Sequence, residues 1–469
     1  MKLLAGFLVP HPPIIIPEVG LGEEKKAAAT SHAMYEVSRA VAQLEPETIV
    51  IISPHGPLFT DAISIRNANP LIGSLAHFGA NDIKLSQEND LEFVEILLQN
   101  ATEKRISTVI FDKALARRFD LDEAIDHGVI VPLYFINQFY NRYKLVVITY
   151  GLLSEEQLYQ FGISIQTVAA KLNRKTILIA SGDLSHHLTN SSNYTYREEG
   201  PSFDKFIVDH LVGQEYVEIM TLDSKRVSLA GECGKKSLEI LFGSLDQINH
   251  ITQLKSYEGP FGVGYAVASF TNLEIGKESL LPKLHEVLKT NQLLRKTKED
   301  EEIRLARMAI EHFVRTGERL SIPEFAQVES LLGRSKGVFI SIKDRGGLRG
   351  CMGITAGLEI NLASEIISNA IKACCEDPRF APIEPEELDA LRISVDILSP
   401  AEKVADIDQL DPQQYGIIVS YDYKRGLLLP HLDGVDTVAE QIRIALNKAG
   451  IHSDEPYQIE RFTVERHEV

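Results

Sequence analysis

Tryptophan is absent from the 469-residue chain, and cysteine occurs only four times. The cysteines form no CxxC pair, which argues against a zinc-ribbon site. Two of them, Cys374 and Cys375, are adjacent in the chain and cannot easily form a disulfide with each other. We therefore expect reduced thiols and a cytoplasmic location.

Long apolar runs are also absent, since none approaches the roughly 20 residues that a membrane helix needs. The apolar run at residues 3–9 is short, lacks a small-residue cleavage site and is followed by Pro-His-Pro-Pro. These features favour a strand over a signal peptide. We expect no membrane interaction.

Basic residues are fewer than acidic ones: 48 Lys and Arg stand against 66 Asp and Glu, giving a formal net charge of −18. Binding to a nucleic-acid backbone needs clustered Lys and Arg. The charge therefore argues against a general nucleic-acid partner.

The length predicts two or three domains. Residues 1–275 are predicted to form a mostly parallel α/β sheet domain, because buried strand-like runs alternate with helical patterns. Ser154 and Gln157, at capping-box spacing, predict the start of one of these helices. Residues 276–300 are charged and are predicted to be a linker helix. Residues 301–469 are predicted to form a smaller α+β domain.

Three histidines follow predicted strands of the first domain. His11 follows residues 3–9, His55 follows the β-branched run 49–52, and His186 follows residues 176–180. Residues 3–55 read as a β-α-β unit, in which both strands are parallel and end on the same edge of the sheet. Ligands of open α/β sheets bind at that edge. The sequence therefore predicts that these histidines share one site.

Two neutral imidazoles and one carboxylate are the ligand set of non-haem Fe(II) oxygenases. Glu258 precedes the last predicted strand and is the favoured carboxylate, with Asp183 and Glu232 as alternatives. The same residues could hold Zn²⁺ and a water molecule, as in hydrolases. A histidine that does not bind the metal could move protons.

These motifs resemble class III extradiol ring-cleavage dioxygenases of the catalytic-subunit type. The resemblance covers roughly residues 1–272 and rests on His11 within 9–13, His55 within 53–56, and the segments 126–128 and 181–186. It implies His11, His55 and Glu258 as Fe(II) ligands, and His186 as the general base. It also implies that His127 contacts substrate or oxygen.

The implied reaction is opening of an aromatic diol next to its two hydroxyl groups, with O₂ as co-substrate. Sequence alone leaves His187 as a second candidate for the base. Cys233-Gly234 and residues 262–266 are similar to the related Memo proteins, which carry a cysteine near the third-ligand position. Two alternatives follow: a Memo-like redox protein binding copper or zinc, and a non-catalytic interaction module.

The second domain contains a compact motif at residues 348–353, in which Cys351 lies two residues after Arg349. A nearby guanidinium could make Cys351 a reactive thiolate. Alternatively, Cys351 is a small core residue. Residues 302–316 have helical spacing, and Gly317 is predicted to end that helix.

This motif, together with residues 377–380 and the strand 393–398, resembles the AMMECR family domain over about residues 300–469. That family is often paired with Memo-like and radical-SAM proteins, which implies a radical-SAM partner in a shared pathway. The chain itself lacks CxxxCxxC. A homo-oligomer is compatible with the sequence.

Overall fold

The computed structural model describes residues 2–190, 194–344, 347–432, 435 and 437–469. It comprises two compact units, Met1–Lys289 and Thr290–Val469. The division falls inside a helix, Leu281–Lys298, within the segment predicted to be a charged linker.

The first unit alternates strands and helices over most of its length. Its strands are β1 Leu3–Val9, β2 Thr48–Ser53, β3 Ile63–Arg66, β4 Leu71–Leu75, β5 Ala80–Gln87, β6 Thr108–Phe111, β7 Lys144–Thr149, β8 Thr176–Ser181, β9 Ile248–Glu258 and β10 Tyr265–Ile275. Its helices are α1 Pro17–Gly20, α2 Ala28–Leu44, α3 Leu91–Glu103, α4 Lys113–Phe119, α5 His127–Asn137, α6 Glu155–Lys171, α7 Glu199–Val212, α8 Tyr216–Met220, α9 Ser224–Ala230 and α10 Lys235–Ser244, followed by the boundary helix α11 Leu281–Lys298.

The large sheet of this unit has the strand order β6-β3-β7-β2-β8-β1-β10-β9. The central strands β7, β2, β8 and β1 are parallel, whereas β10 pairs antiparallel with β1 and β9 pairs antiparallel with β10. Strands β4 and β5 form a separate antiparallel pair. Because β8 lies between β1 and β2, the carboxyl ends of these three strands are neighbours.

Strand β2 shows why the centre of the sheet is apolar on both faces. Ile49 and Ile51 pack into a core with α2 and α5, whereas Val50 and Ile52 pack into a second core with α3, α6 and α10. Each such side chain contributes about 1.5–3 kcal/mol when fully buried. Burial between two helical layers thus fixes the position of β2 and of the segment that follows it.

The capping box at the start of α6 is confirmed. The side chain of Ser154 accepts a hydrogen bond from the backbone of Gln157, and the Gln157 side chain accepts one from the backbone of Ser154. The two bonds satisfy backbone donors that a helix start leaves unpaired.

The second unit contains two antiparallel four-stranded sheets, ordered β12-β11-β13-β18 and β14-β17-β15-β16. Its strands are β11 Gly337–Asp344, β12 Gly347–Ile354, β13 Leu391–Leu398, β14 Glu402–Lys403, β15 Gly416–Tyr421, β16 Lys424–Leu428, β17 Gln458–Phe462 and β18 Val464–His467. Its helices are α12 Glu301–Thr316, α13 Glu329–Leu332, α14 Leu362–Cys375 and α15 Val438–Ala449.

Helices α12 and α14 cover one face of the first of these sheets, and α15 packs against β15 and β16. Gly317 ends α12 in a left-handed conformation with φ of 73°, so the predicted C-cap is confirmed. The predicted fold class, a mostly parallel α/β domain followed by a smaller α+β domain, is also confirmed. Within the described residues, every helix is too short or too polar to cross a membrane.

Candidate metal centre

The carboxyl ends of β1, β2 and β8 bring three chain segments together at one edge of the sheet. Val9 at the end of β1 pairs with Ser181 of β8, and Ile52 of β2 pairs with Ala180 on the other side of β8. The segments that follow β1 and β2 therefore leave the sheet on either side of β8. His11 lies on the first of these segments and His55 on the second.

His11 is buried, and β8 fixes the orientation of its ring. The hydroxyl of Ser181 donates to the carbonyl oxygen of Gly128 at 2.6 Å and lies 2.9 Å from His11 Nδ1. Because a hydroxyl has only one proton, Nδ1 must carry its own hydrogen and donate it to Ser181. His11 Nε2 therefore carries a lone pair, which accepts a hydrogen bond from His55 Nε2 at 2.9 Å.

A third imidazole stacks on this pair. The ring centroid of His127, the first residue of α5, lies 4.2 Å from that of His55 and 5.4 Å from that of His11. Asp126 beside it accepts a hydrogen bond from Ser53, while its other oxygen, Oδ2, is buried and has no partner among the described residues. The polar wall around His55 thus includes an unused acceptor.

Cys233 is the third donor beside the two histidines. One ligand atom from each of His11, His55 and Cys233 lies within 4.8 Å of the other two, and Cys233 Sγ is 3.7 Å from His11 Nε2. Asp183 forms hydrogen bonds with both His11 and Cys233. Its backbone N–H donates to Cys233 Sγ at 3.3 Å, and its Oδ1 accepts the backbone N–H of His11 at 2.9 Å.

The close approach of Cys233 to β8 depends on glycine. A Cβ atom on Gly182 would lie only 2.2 Å from the Cα atom of Gly234. Two backbone segments can pass this closely only where a side chain is missing. Gly182, directly after β8, thus allows the segment that carries Cys233 to reach the edge of the sheet.

His186 completes the cluster. Its Nε2 lies 3.9 Å from Cys233 Sγ, and its ring centroid lies 5.1 Å from that of Tyr194. His187 points elsewhere: its Nδ1 donates to the carbonyl oxygen of Thr195 at 2.6 Å, and its ring packs over Gly231. Of the two candidate bases, the structure brings His186 to the cysteine and histidine cluster.

Glu258 is the last residue of β9, and its carboxylate accepts the backbone N–H of Thr30 at 2.6 Å. Strand β10 separates β9 from β1, so Glu258 lies about two strand spacings, roughly 9–10 Å, from the strand that leads to His11. Glu232, the other acidic alternative, accepts the backbone N–H of Lys235 at the start of α10. The group of close donor atoms contains Cys233 in place of either carboxylate.

The imidazoles of the cluster are held in their neutral form. Burial, followed by repulsion from His55, His127 and His186, lowers the pKa of His11 well below its usual value. Burial, followed by His127, lowers the pKa of His55 to about 4, against the opposing effect of Asp126. Burial, followed by His55 and His187, also lowers the pKa of His186 to about 4. Neutral imidazole is the form that binds metals.

Burial raises the pKa values of Cys233 and Asp183, whereas it lowers those of the imidazoles. Burial, followed by Asp183 and Glu232, raises the pKa of Cys233 well above its usual value. Burial likewise raises the pKa of Asp183 to about 7, against the hydrogen bond from His11. A bound cation reverses this trend, because it stabilises the thiolate that coordinates it.

Two of the three donor separations fit a single ion. Nitrogen ligands lie about 2.0–2.1 Å from zinc and sulfur ligands about 2.3 Å, so a nitrogen and a sulfur on one ion are at most about 4.4 Å apart. The 2.9 Å between His11 and His55 and the 3.7 Å between His11 and Cys233 are within these limits. The donor set, two imidazoles and a thiol, suits a transition metal.

The predicted thiol of the second unit lies in a different environment. Cys351 is half-buried on β12, with Sγ 3.4 Å from the hydroxyl of Ser341. Arg349 is directed to Glu387, to which it donates from Nε at 2.6 Å and from Nη2 at 2.9 Å. The guanidinium that contacts Cys351 is that of Arg379, which donates to its carbonyl oxygen at 3.2 Å. A functional role for Cys351 stays a prediction.

Asp377 ties this motif together. Its carboxylate accepts the backbone N–H of Cys351 at 2.8 Å and pairs with Arg379 through Nε at 2.9 Å and Nη2 at 2.7 Å. The Arg379 guanidinium holds the pKa of Asp377 well below its usual range. The charged groups around Cys351 are therefore paired with one another.

The first site includes two contributors that sequence reasoning did not select. Cys233 is similar to the cysteine of the Memo proteins but is not among the predicted ligands, and the glycine that follows it is the only local signal that could have pointed to a close backbone approach. Tyr194 lies in a polar segment with no periodic pattern that would have indicated a place beside His186.

Two family models match the chain in succession. Residues 5–268 match the catalytic LigB subunit of aromatic ring-opening dioxygenase, and residues 303–467 match AMMECR1. A protein of Clostridium acetobutylicum, CA_C1420, is 39% identical over 471 residues, which cover 100% of this chain and 99% of the relative. A protein of Thermotoga maritima is 49% identical over 167 residues, covering 35% of this chain and 95% of the relative.

Two solved structures of uncharacterized proteins are also similar. One, from Escherichia coli K12, has a TM-score of 0.37 and 14% identity, and covers 57% of this chain and 99% of its own. The other, from Pyrococcus horikoshii, has a TM-score of 0.33 and 29% identity, and covers 35% of this chain and 88% of its own. The family models account for both units, and the chain belongs to the family of the catalytic LigB subunit of aromatic ring-opening dioxygenases, with an AMMECR1 domain fused after it.

Proposed function

We propose that the first unit is a metal-dependent oxidoreductase whose single ion is held by His11, His55 and Cys233. The observation that carries this proposal is the convergence of one ligand atom from each residue within 4.8 Å. The forced Nδ1–H tautomer of His11 supports it, because that tautomer directs a lone pair toward the other donors. The family description adds ring opening of an aromatic compound as the reaction class.

In this proposal the substrates are an aromatic diol and O₂, and the cofactor is Fe(II). When bound, Fe(II) supplies open coordination positions at which a diol and O₂ can react. His186 is neutral near pH 7 and lies 3.9 Å from Cys233, so it can accept a hydroxyl proton from a diol placed beside the cluster. His127 stacks on His55 and so lies beside the same space.

One observation favours a second candidate function, a redox protein that holds copper or zinc. Cys233 supplies a soft thiol where Fe(II) oxygenases of the facial type use a carboxylate. The thiol matches the cysteine of the Memo proteins, whose resemblance was noted at residues 233–234 and 262–266. Under this candidate the same three ligands are used, but catechol does not stimulate O₂ consumption.

Metal analysis of the full chain tests the ligand set. After anaerobic purification and incubation with Fe(II), the chain should hold about one ion, and His55→Ala should lose it. Glu258→Gln is the discriminating variant, because it should keep the ion if Cys233 is the third ligand. Loss of the ion in Glu258→Gln together with its retention in Cys233→Ala would contradict the proposal.

Activity measurements test the reaction. The Fe(II)-loaded chain should consume O₂ in the presence of catechol and form a ring-opened product that absorbs visible light. His186→Ala should slow this reaction while leaving the metal content unchanged. If Fe(II) binds but no catechol in a broad panel stimulates O₂ consumption, the second candidate is supported. Competition between Fe(II), Cu(I) and Zn²⁺ for the chain then identifies its metal.

A further inference from the structure

We infer that Phe78 and Tyr194 are specificity-determining residues that hold an uncharged, planar aromatic diol on two sides of the candidate metal centre. This inference rests on the proposed function and adds to it the residues and the charge that select the substrate. The order of ring contacts around the site, the exposure of the two rings and the charges nearby support it.

Phe78 and Tyr194 occupy the two ends of a continuous series of contacts. Phe78 lies 5.2 Å from His127, which stacks on His55 at 4.2 Å, both measured between ring centroids. The series continues from His55 through His11 to Cys233 and His186, whose ring centroid lies 5.1 Å from that of Tyr194. In this series of contacts, the candidate ligands come between the two aromatic rings.

Both rings remain exposed although each lies against the site. Phe78 is 42% exposed and Tyr194 is 36% exposed. Phe78 is carried by a short 3₁₀ turn, Ala76–Phe78, between β4 and β5, and Tyr194 lies in the loop that follows the histidine motif of β8. Among the described residues, neither ring is part of the hydrophobic cores of the first unit. A flat apolar ligand would cover surface that folding leaves open.

The charges around the cluster favour a ligand without a carboxylate. Within the described part of the chain, the groups that shift the pKa values of His11, His55, His127 and His186 are other imidazoles and Asp126, with no Lys or Arg among them. A carboxylate on the substrate would lie near the carboxylates of Asp126 and Asp183, with no Lys or Arg among these groups to offset the repulsion. A neutral diol avoids this repulsion and can still bind a metal through its two oxygens.

Because the chain contains no tryptophan, a single introduced tryptophan gives a fluorescence signal with no background from other tryptophans. Phe78→Trp introduces a single tryptophan at one end of the site while keeping an aromatic ring there. Quenching of its fluorescence then reports a ligand at that end, both with and without metal.

Calorimetric titration of the anaerobic, Fe(II)-loaded full chain tests the inference, with catechol as the neutral probe and 3,4-dihydroxybenzoate as the charged one. Phe78→Leu and Tyr194→Leu should each weaken catechol binding about fivefold, because each removes one ring–ring contact. Tyr194→Phe should bind catechol as the parent chain does. For the parent chain, 3,4-dihydroxybenzoate should bind about tenfold more weakly than catechol.

The matched controls are Tyr196→Leu, which removes a 47% exposed ring two residues from Tyr194, and Phe139→Leu, which removes a 43% exposed ring. Both should leave catechol affinity unchanged. Equal losses in the controls, unchanged affinity in Phe78→Leu and Tyr194→Leu, or binding of 3,4-dihydroxybenzoate at least as tight as that of catechol would overturn the inference. Unchanged Fe(II) content in the variants shows that the metal centre is intact in each case.

Failure of the metal proposal gives a distinct result, because the parent chain then takes up no ion. The Phe78→Trp chain still decides the inference in that case. Catechol quenching that is weakened by Tyr194→Leu supports the two aromatic residues as a binding site. An absence of quenching at catechol concentrations up to the millimolar range overturns it.

Discussion

The cluster around Cys233 and the motif around Cys351 differ in how their polar groups are satisfied. Around Cys233, the imidazoles lie against one another, their pKa values are lowered, and Asp126 has a buried oxygen without a partner among the described residues. Around Cys351, Arg349 pairs with Glu387 and Arg379 pairs with Asp377. Both motifs combine cysteine, glycine and polar residues at strands.

The polar groups around Cys233 can still be completed by a bound ion, whereas those around Cys351 already stabilise one another. Neutral imidazoles that pack against one another lower the stability of the fold, and a bound cation can restore it. Such arrangements are typical of functional sites. Arginine and aspartate in mutual, partly buried pairs contribute charge-assisted hydrogen bonds and need no ligand. Composition does not distinguish the two motifs, whereas the pairing of their charges does.

Removal of each cysteine should give the largest contrast. Cys233→Ala should weaken metal binding by at least about 100-fold, because it deletes a donor from the ligand group. Cys351→Ala should leave metal affinity unchanged, since Cys351 belongs to the second unit, where its thiol contacts Ser341 at 3.4 Å, and is not one of the three candidate ligands. Titration against a chromophoric chelator measures both affinities. Similar losses in the two variants would remove the distinction between the motifs.

Asp377→Asn should lower the free energy of unfolding of the second unit by about 2–3 kcal/mol, because charge-assisted hydrogen bonds to Arg379 and Cys351 are weakened at a buried position. Urea titration with pulsed labelling of the buried thiol of Cys374 follows this unit. Asp389→Asn is the control, since the Asp389 side chain is 79% exposed. Equal stability of the two variants would show that the pairing around Cys351 is unimportant.

Ser181→Ala should weaken metal binding about tenfold, because the hydroxyl fixes the tautomer of His11, and loss of such outer contacts costs about 10–100-fold. Ser38→Ala removes an equally buried hydroxyl that bonds to the carbonyl oxygen of Met34 in α2. The same chelator titration compares the two. The assigned tautomer is wrong if both variants bind metal as tightly as the parent chain.

The smallest expected effect is a difference in pH dependence between the units. In the metal-free chain, the pKa values of His55 and His186 are lowered to about 4. In the unfolded chain, histidine has its ordinary pKa of about 6.5, so below that pH the unfolded chain binds more protons than the folded chain. The stability that these two neutral histidines contribute is therefore fully present above about pH 6.5 and is lost as the pH falls toward 4, whereas Asp183, whose pKa is raised to about 7, has the opposite effect. In the second unit, Asp377 has a lowered pKa, so its contribution is present above about pH 3.9 and is lost only below that.

Urea titrations at about pH 7.5, 6 and 5 isolate the histidine contribution when the parent chain is compared with His55→Gln and His186→Gln. Labelling of Cys233 follows the first unit and labelling of Cys374 follows the second. As the pH falls, each variant should lose less stability in the first unit than the parent chain does, and the second unit should not differ between them. An identical pH dependence of the first unit in the parent chain and both variants would contradict the assignment of the effect to the histidine cluster.

Much of the fold follows from local patterns. The β-branched run of β2, the capping box at Ser154 and the C-cap at Gly317 each specify an element through its own residues. Local patterns do not predict strand β9, because its burial alternates with exposure on an edge strand and its apolar signal is weak. The sequence therefore predicts only that Glu258 precedes β10, whereas the structure shows that it ends β9.

The candidate site, too, could be predicted only in part. The positions of His11 and His55 after parallel strands could be predicted, because parallel strands end on a common edge. The choice between Glu258 and Cys233 could not be predicted, because it depends on strand order. Strand β10 lies between β9 and β1, whereas Gly182 lets the segment of Cys233 approach β8.

The sequence by itself determined that histidines gather at one edge of a parallel sheet, since strand direction and local breaks are encoded in short stretches of residues. Only the tertiary structure decided which donor joins them, which of His186 and His187 turns inward, and which rings flank the site. Those outcomes depend on contacts between residues as far apart as His11 and Cys233. Such contacts are set by the order and packing of strands, which local residue patterns do not specify.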